Sequence, residues 1–126
     1  MDTRQSGAVL SVTFVFTSSP HDSAAGREGV DAVLAASAYS EDIQVIFIGD
    51  GVLQLLKGQQ PQGILSKDYA PMFKLFELYD IECVYVARRS LDELGVAQAD
   101  LVCDASLLDD EALQVAFGRA SKVLTF

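Results

Sequence analysis

The sequence predicts an α/β domain, a three-layer α/β/α sandwich built on a five-stranded parallel sheet. Three observations lead there. Short apolar segments alternate with segments of helical periodicity along nearly the whole chain. The apolar segments are mostly continuous rather than alternating, as strands buried on both faces are. Clusters of Gly, Pro, Ser and Asp separate the two kinds of segment.

Residues 1–7 are polar and are expected to form a flexible leader. "AVLSVTFVF" (8–16) is rich in β-branched and aromatic residues and short enough for a buried strand. The loop "TSSPHDS" follows. "AAGREGVDAVLAASAYS" (24–40) reads as a helix, with Val30, Val33, Leu34 and Ser37 on one face. Gly26 and Gly29 each cost about 1 kcal/mol of helix propensity, tolerable where a neighbour packs closely. "IQVIFIG" (43–49) is a second strand and "GVLQLLKG" (51–58) a short helix that Gly58 closes. "QQPQGILSKDYA" is irregular. "PMFKLFELYD" (71–80) starts a helix on Pro71 and carries the stripe Met72, Leu75, Phe76 and Tyr79. "IECVYVA" (81–87) is a third strand, "SLDELG" (90–95) a helix closed by Gly95, and "ADLVCD" (99–104) a fourth strand. "LDDEALQVAFGRA" (108–120) is a helix with acids in its first turn, where the macrodipole favours them. "KVLTF" (122–126) is a fifth strand, expected to be parallel. With no repeat or linker, residues 1–126 read as a single domain.

A chain of 126 residues, half of them hydrophobic, can bury a core without disulfides or metal. The net charge of −9 repels phosphate backbones, which argues against direct nucleic-acid binding. The start carries an acidic residue and an apolar run shorter than the ~20 residues of a spanning helix, so no membrane association is expected and the reading is cytoplasmic. In a reducing compartment Cys83 and Cys103 are not expected to pair.

The stretch "IFIGDGVLQLLKGQ" ends a strand in Gly-Asp-Gly and turns into a helix, where many α/β proteins seat a phosphate. It lacks the third glycine of a dinucleotide loop and the lysine of a P-loop, and it puts the anionic Asp50 where a phosphate would sit. The reading is a structural turn: Asp50 caps the short helix and Gly51 permits the tight turn. Cys83 lies inside "CVYV" and is expected to fill core. Cys103 adjoins Asp104, whose charge opposes a thiolate. The strand end best suited to a nucleophile is position 87, before Arg88 and Arg89, and the residue there is Ala87. His21 is the only histidine, so neither a Cys-His triad nor a multi-histidine metal site is available; Asp22, Glu28, Asp31 and the run "DDE" at 109–111 read as solvated helix starts. No catalytic residue, metal or cofactor is expected.

Four segments, "SSPHDSAAGREGVDAVLAASA", "IFIGDGVLQLLKGQQP", "KDYAPMFKLFELYDIE" and "VYVARRSLDELGV", together resemble the TusC/DsrF family over nearly the whole chain. The resemblance implies a DsrE/DsrF-like fold and a place in a sulfur-relay complex with TusB-like and TusD-like subunits, a hetero-oligomer and by resemblance a hexamer. Such a complex takes persulfide sulfur from TusA and passes it through a TusE-like acceptor towards 2-thiouridine at the tRNA wobble position. The persulfide cysteine of that family belongs to TusD, and the matching position here is Ala87. This departure fits a non-catalytic, TusC-type subunit.

Val52, Leu53, Leu55 and Leu56 exceed what one face of a two-turn helix buries, and Met72, Phe73, Phe76 and Tyr79 lie nearby. The expected subunit interface is therefore Val52, Leu53, Leu56, Phe73, Phe76 and Tyr79. Two other readings stay open: an autonomous sulfurtransferase using Cys83 or Cys103, and a small nucleotide- or flavin-binding module using the turn Thr17–Gly26.

Overall fold

The computed structural model describes residues 11–19, 25–40, 42–56, 75–79, 81, 83–101 and 105–126. In chain order the elements are β1 (Val12–Phe16), α1 (Ala25–Ala36), β2 (Ile43–Phe47), a 3₁₀ segment (Gly49–Leu55), α2 (Leu75–Leu78) and β3 (Cys83–Ala87). There follow α3 (Arg88–Leu94), a 3₁₀ turn (Gln98–Asp100), β4 (Ser106–Leu108), α4 (Asp110–Arg119) and β5 (Lys122–Thr125). The five strands form one sheet in the order β4-β3-β2-β1-β5. Every neighbouring pair is parallel, as the continuous apolar runs require.

This order decides which face each helix covers. From β1 to β4 the chain steps one strand at a time in one direction, and crossovers of one hand then put the intervening helices on the same face. The return from β4 to β5 runs the other way, so the same hand puts α4 on the opposite face. The two cores follow. The larger holds Phe14, Phe16, Val45, Phe47, Val84 and Val86 beneath Val30 and Val33 of α1, Phe76 of α2 and Leu91 of α3. The smaller packs Ile46 and Ala87 against Leu113 and Ala116 of α4. A Cβ on Gly29 would lie 2.5 Å from the Phe16 ring, so that glycine lets α1 sit low on the sheet.

Four sequence expectations change. The fourth strand is Ser106–Leu108. Of the expected 99–104, residues 102–104 lie outside the described residues; Gln98–Asp100 turns as 3₁₀, tied by Ala97 N–H donating to Asp100 Oδ2 at 3.2 Å, and Leu101 makes an isolated antiparallel bridge to Leu56. The helix expected at 51–58 is a 3₁₀ segment two residues earlier, and Gly58 lies outside the described residues. Its cap is Ile48, without a side-chain hydrogen bond; Asp50 stands inside the segment and accepts from Ser19 Oγ at 3.5 Å. Gly51 is needed for closeness rather than for the turn. A Cβ there would stand 1.9 Å from the Phe16 carbonyl oxygen, whereas the left-handed residue of the turn is Gly49, φ 58°.

The apolar surplus of 51–56 goes mostly inward. Val52 and Leu55 are fully buried, as is Phe76, so Val52 and Phe76 are core residues and not available to a partner. A curved 3₁₀ segment lying across the end of the sheet buries side chains on more than one side, which the face-counting argument did not allow for. Leu53 and Leu56 are half-buried, Tyr79 is exposed, and Phe73 lies outside the described residues.

Candidate functional site

The strands β3 and β4 run side by side with Ala87 paired to Leu108, and their chains then part. From Ala87 the backbone enters α3 at Arg88 with no intervening loop and goes to one face. From Leu108 it passes through Asp109 into α4 on the other. Divergence of two adjacent parallel strands leaves a crevice beyond their carboxyl ends, the place where open α/β sheets bind ligands. Here it is an open cleft of about 480 Å³ lined by Arg88, Arg89, Asp92, Glu93, Asp109, Asp110 and Glu111.

Local sequence holds both walls. Ser90, buried under α3, accepts a hydrogen bond on its Oγ from Gly49 N at 2.8 Å, clamping the turn after β2 to the first turn of α3. Gly95, φ 69°, closes α3 in the left-handed conformation, as expected from sequence. On the other wall, Asp109 is the N-cap of α4 and its side chain accepts from Ala112 N at 2.8 Å. Asp110 and Glu111 fill the first turn, and Arg89 reaches across to pair with Asp110. Both partners are more than half exposed, so the pair adds little stability.

Among the described residues, the lining of the cleft is all charged and includes no Ser, Thr, Cys or His. Ala87, buried, ends β3 immediately before the two arginines of this lining. Five carboxylates face two guanidinium groups, which disfavours a phosphate or any small anion. Among the described residues no group of three or more His, Cys, Asp or Glu is placed to hold a metal ion. Sequence reading took Asp109–Glu111 for a solvated helix start; their second position, as the rim of a cleft shared with α3, comes only from the β3–β4 register.

Cys83 lies at the opposite end of β3 from Ala87. It is a half-buried free thiol on the face under α4, not the core residue expected. Tyr85, two residues on and on the same face, has its pKa raised, first by its hydrogen bond with Cys83, then by burial and by the charge of Cys83; Arg119 pulls the other way. Cys103, His21 and Asp22 lie outside the described residues, and so does most of the turn after Thr17. Also among the described residues, no helix is long and apolar enough to cross a membrane.

Comparison with known proteins adds the following. The protein is 65% identical over 115 residues to a TusC homolog of Vibrio parahaemolyticus, which covers 91% of this chain and 98% of that one. It is 47% identical over 113 residues to a TusC homolog of Aliivibrio fischeri, with 90% and 96% covered. Among solved structures, the YchN protein from E. coli superposes with a TM-score of 0.78 at 20% identity, covering 93% of this chain and 99% of that one. A protein of unknown function from Methanobacterium thermoautotrophicum gives 0.64 at 14% identity, covering 91% and 98%. These two likenesses carry the fold alone. The DsrE/DsrF-like family matches residues 10–126, and with TusC homologs at this level of identity the chain belongs to that family.

Proposed function

We propose that the protein is a TusC-type, non-catalytic subunit of a cytoplasmic sulfur-relay complex. It assembles with TusB-like and TusD-like subunits, and the complex passes persulfide sulfur from TusA to a TusE-like acceptor for 2-thiouridine formation at the tRNA wobble position. The observation that carries this reading is Ala87. It ends β3 just before Arg88 and Arg89, at the position that the family resemblance matches to the persulfide cysteine of TusD, and a methyl group cannot carry sulfur. The net charge of −9 fits a subunit that serves a tRNA pathway through protein contacts rather than by holding RNA.

The contact surface proposed here is smaller than the sequence suggested. With Val52 and Phe76 in the core, Tyr79 is the exposed aromatic among the described residues of the set, beside Leu78, which is 74% exposed. Leu53, Leu56 and Phe73 complete the proposed patch.

The test is assembly. The chain, co-expressed with TusB-like and TusD-like subunits of the same organism, is expected to co-purify with them and to support persulfide transfer only in their presence. Tyr79→Ala should weaken assembly by about 2 kcal/mol, as loss of an interface aromatic does, with an unchanged melting temperature. Phe76→Ala should instead cost ~3–5 kcal/mol of stability in the isolated chain. A chain that binds neither subunit and accepts persulfide alone overturns the proposal in favour of an autonomous sulfurtransferase.

A further inference from the structure

The sheet has two free edges, and they differ in kind. β4 is three residues long and runs straight into the acidic start of α4 at Asp109–Glu111. β5 is longer, pairs with β1, and has no neighbour on its other side among the described residues. Its parallel ladder uses alternate residues. Lys122 N donates to the Ser11 carbonyl oxygen at 3.1 Å and Phe126 N to that of Val15 at 2.8 Å, while the Phe126 carbonyl oxygen accepts from Thr17 N at 2.8 Å. Leu124, midway in the same register, faces β1 likewise. The N–H and C=O groups of Val123 and Thr125 therefore point out of the sheet, and both residues are exposed, Val123 at 45%. Such a row of outward groups is a template for another strand.

Edge strands that must stay single are blunted by charged side chains along the edge, by a proline or by a bulge. The one charge of β5, Lys122, stands at its first residue and leaves the centre, Leu124, neutral. Val123 and Thr125 flank Leu124 symmetrically, so the edge is its own complement in an antiparallel pair about a two-fold axis at Leu124. Val123 then lies opposite Thr125 of the second copy, and each such pair exchanges two hydrogen bonds, four in all. A β-branched side chain meets a β-branched one on one face of the sheet, and Leu124 meets its own copy on the other. Lys122 faces Phe126 of the second copy. The two lysines stand roughly 14 Å apart along the strands, beyond the ~8 Å screening length at physiological ionic strength. We infer that β5 is a homodimerisation edge: a second copy of this chain adds its β5 antiparallel in this register and joins two five-stranded sheets into one.

An edge contact of this length is smaller than the ~1,000 Å² of a permanent interface, so the pair forms and dissociates with concentration. It uses other residues than the patch at Leu78 and Tyr79, and the two contacts do not compete for the same side chains.

The full chain carrying Cys83→Ser and Cys103→Ser has no thiol of its own. Into it is placed Leu124→Cys or, as a control for register, Thr125→Cys. Across the two-fold axis, the two residues 124 form a non-hydrogen-bonded pair with Cα atoms about 4.5 Å apart, within reach of a disulfide; the two residues 125 are roughly 9 Å apart, outside it. Under mild oxidation with copper phenanthroline, Leu124→Cys is expected to give a covalent dimer on non-reducing gels and Thr125→Cys to stay monomeric. In sedimentation equilibrium the unsubstituted chain is expected to pass from monomer to dimer as its concentration rises. Val123→Pro removes an outward N–H without touching the ladder to β1 and should weaken that dimer about thirtyfold, the effect of losing two hydrogen bonds per dimer. Leu124 is half-buried, so the sedimentation of Val123→Pro decides if Leu124→Cys does not fold. A monomer at every concentration, a cross-link at 125 in place of 124, or unchanged dimerisation of Val123→Pro each overturns the inference. Pairing of β5 with a TusB-like or TusD-like subunit in place of a second copy overturns it too. Assembly with those subunits is measured separately, so the inference and the proposed function fail separately.

Discussion

At the scale of single residues, two neighbouring glycines show two different reasons for the same residue type. Gly49 is left-handed with nothing within 4 Å of an added Cβ, so its requirement is conformational. Gly51 has an ordinary φ and no room, with the Phe16 carbonyl oxygen 1.9 Å from where a Cβ would stand. Gly49→Ala should therefore cost about 1 kcal/mol, the price of a left-handed Cβ. Gly51→Ala must push the 3₁₀ segment off the end of β1 and should cost at least ~3 kcal/mol, the upper range for overpacking. Thermal unfolding of the two variants side by side checks the contrast; equal shifts would mean that the 3₁₀ segment moves aside freely. The sequence reading attached the turn requirement to Gly51 because it stands next to Asp50 in "GDG". Only the approach of two backbones distant in sequence shows otherwise.

At the scale of elements, the helix ends around the cleft differ in what their charges do. Asp109 is tied to the backbone of α4, while Arg89 and Asp110 meet across open solvent. Asp109→Ala should lower stability by ~1 kcal/mol through loss of the N-cap. Arg89→Ala should change it by less than about 0.5 kcal/mol, because an exposed pair gains little and is screened. Chemical denaturation with unchanged slope measures both; a larger loss for Arg89→Ala would show that it braces the cleft. The helix α4 was legible from its acidic first turn and apolar spacing. The fourth strand was misplaced because "ADLVCD" and "ASLL" are both short apolar runs, and periodicity cannot choose between them. Pairing with Tyr85–Ala87 chose the second.

At the scale of the whole molecule, the unequal covering of the sheet sets an order of stability. The central strands β1 and β2 are buried along their whole length, whereas β5 is mostly exposed and β4 is three residues long. Hydrogen exchange should follow that order, with amides of β1 and β2 slowest and those of β4 and β5 opening earlier by local unfolding. Uniform protection across all five strands would show that the sheet opens as one unit.

The sequence by itself determined the class of fold, the number and direction of the strands, the closing of α3 at Gly95 and the alanine at position 87. Each of these is written in local information: hydrophobic period, turn chemistry and the identity of one residue. Only the tertiary structure decided that Val52 and Phe76 belong to the core, that Gly51 serves contact and not turning, and that Asp109–Glu111 face Arg88 and Arg89 across a cleft. Only the tertiary structure put Cys83 in register with the buried Gln44. These depend on register and crossover between segments far apart in the chain, and the burial of a side chain is fixed by what lies opposite it rather than by its neighbours in sequence.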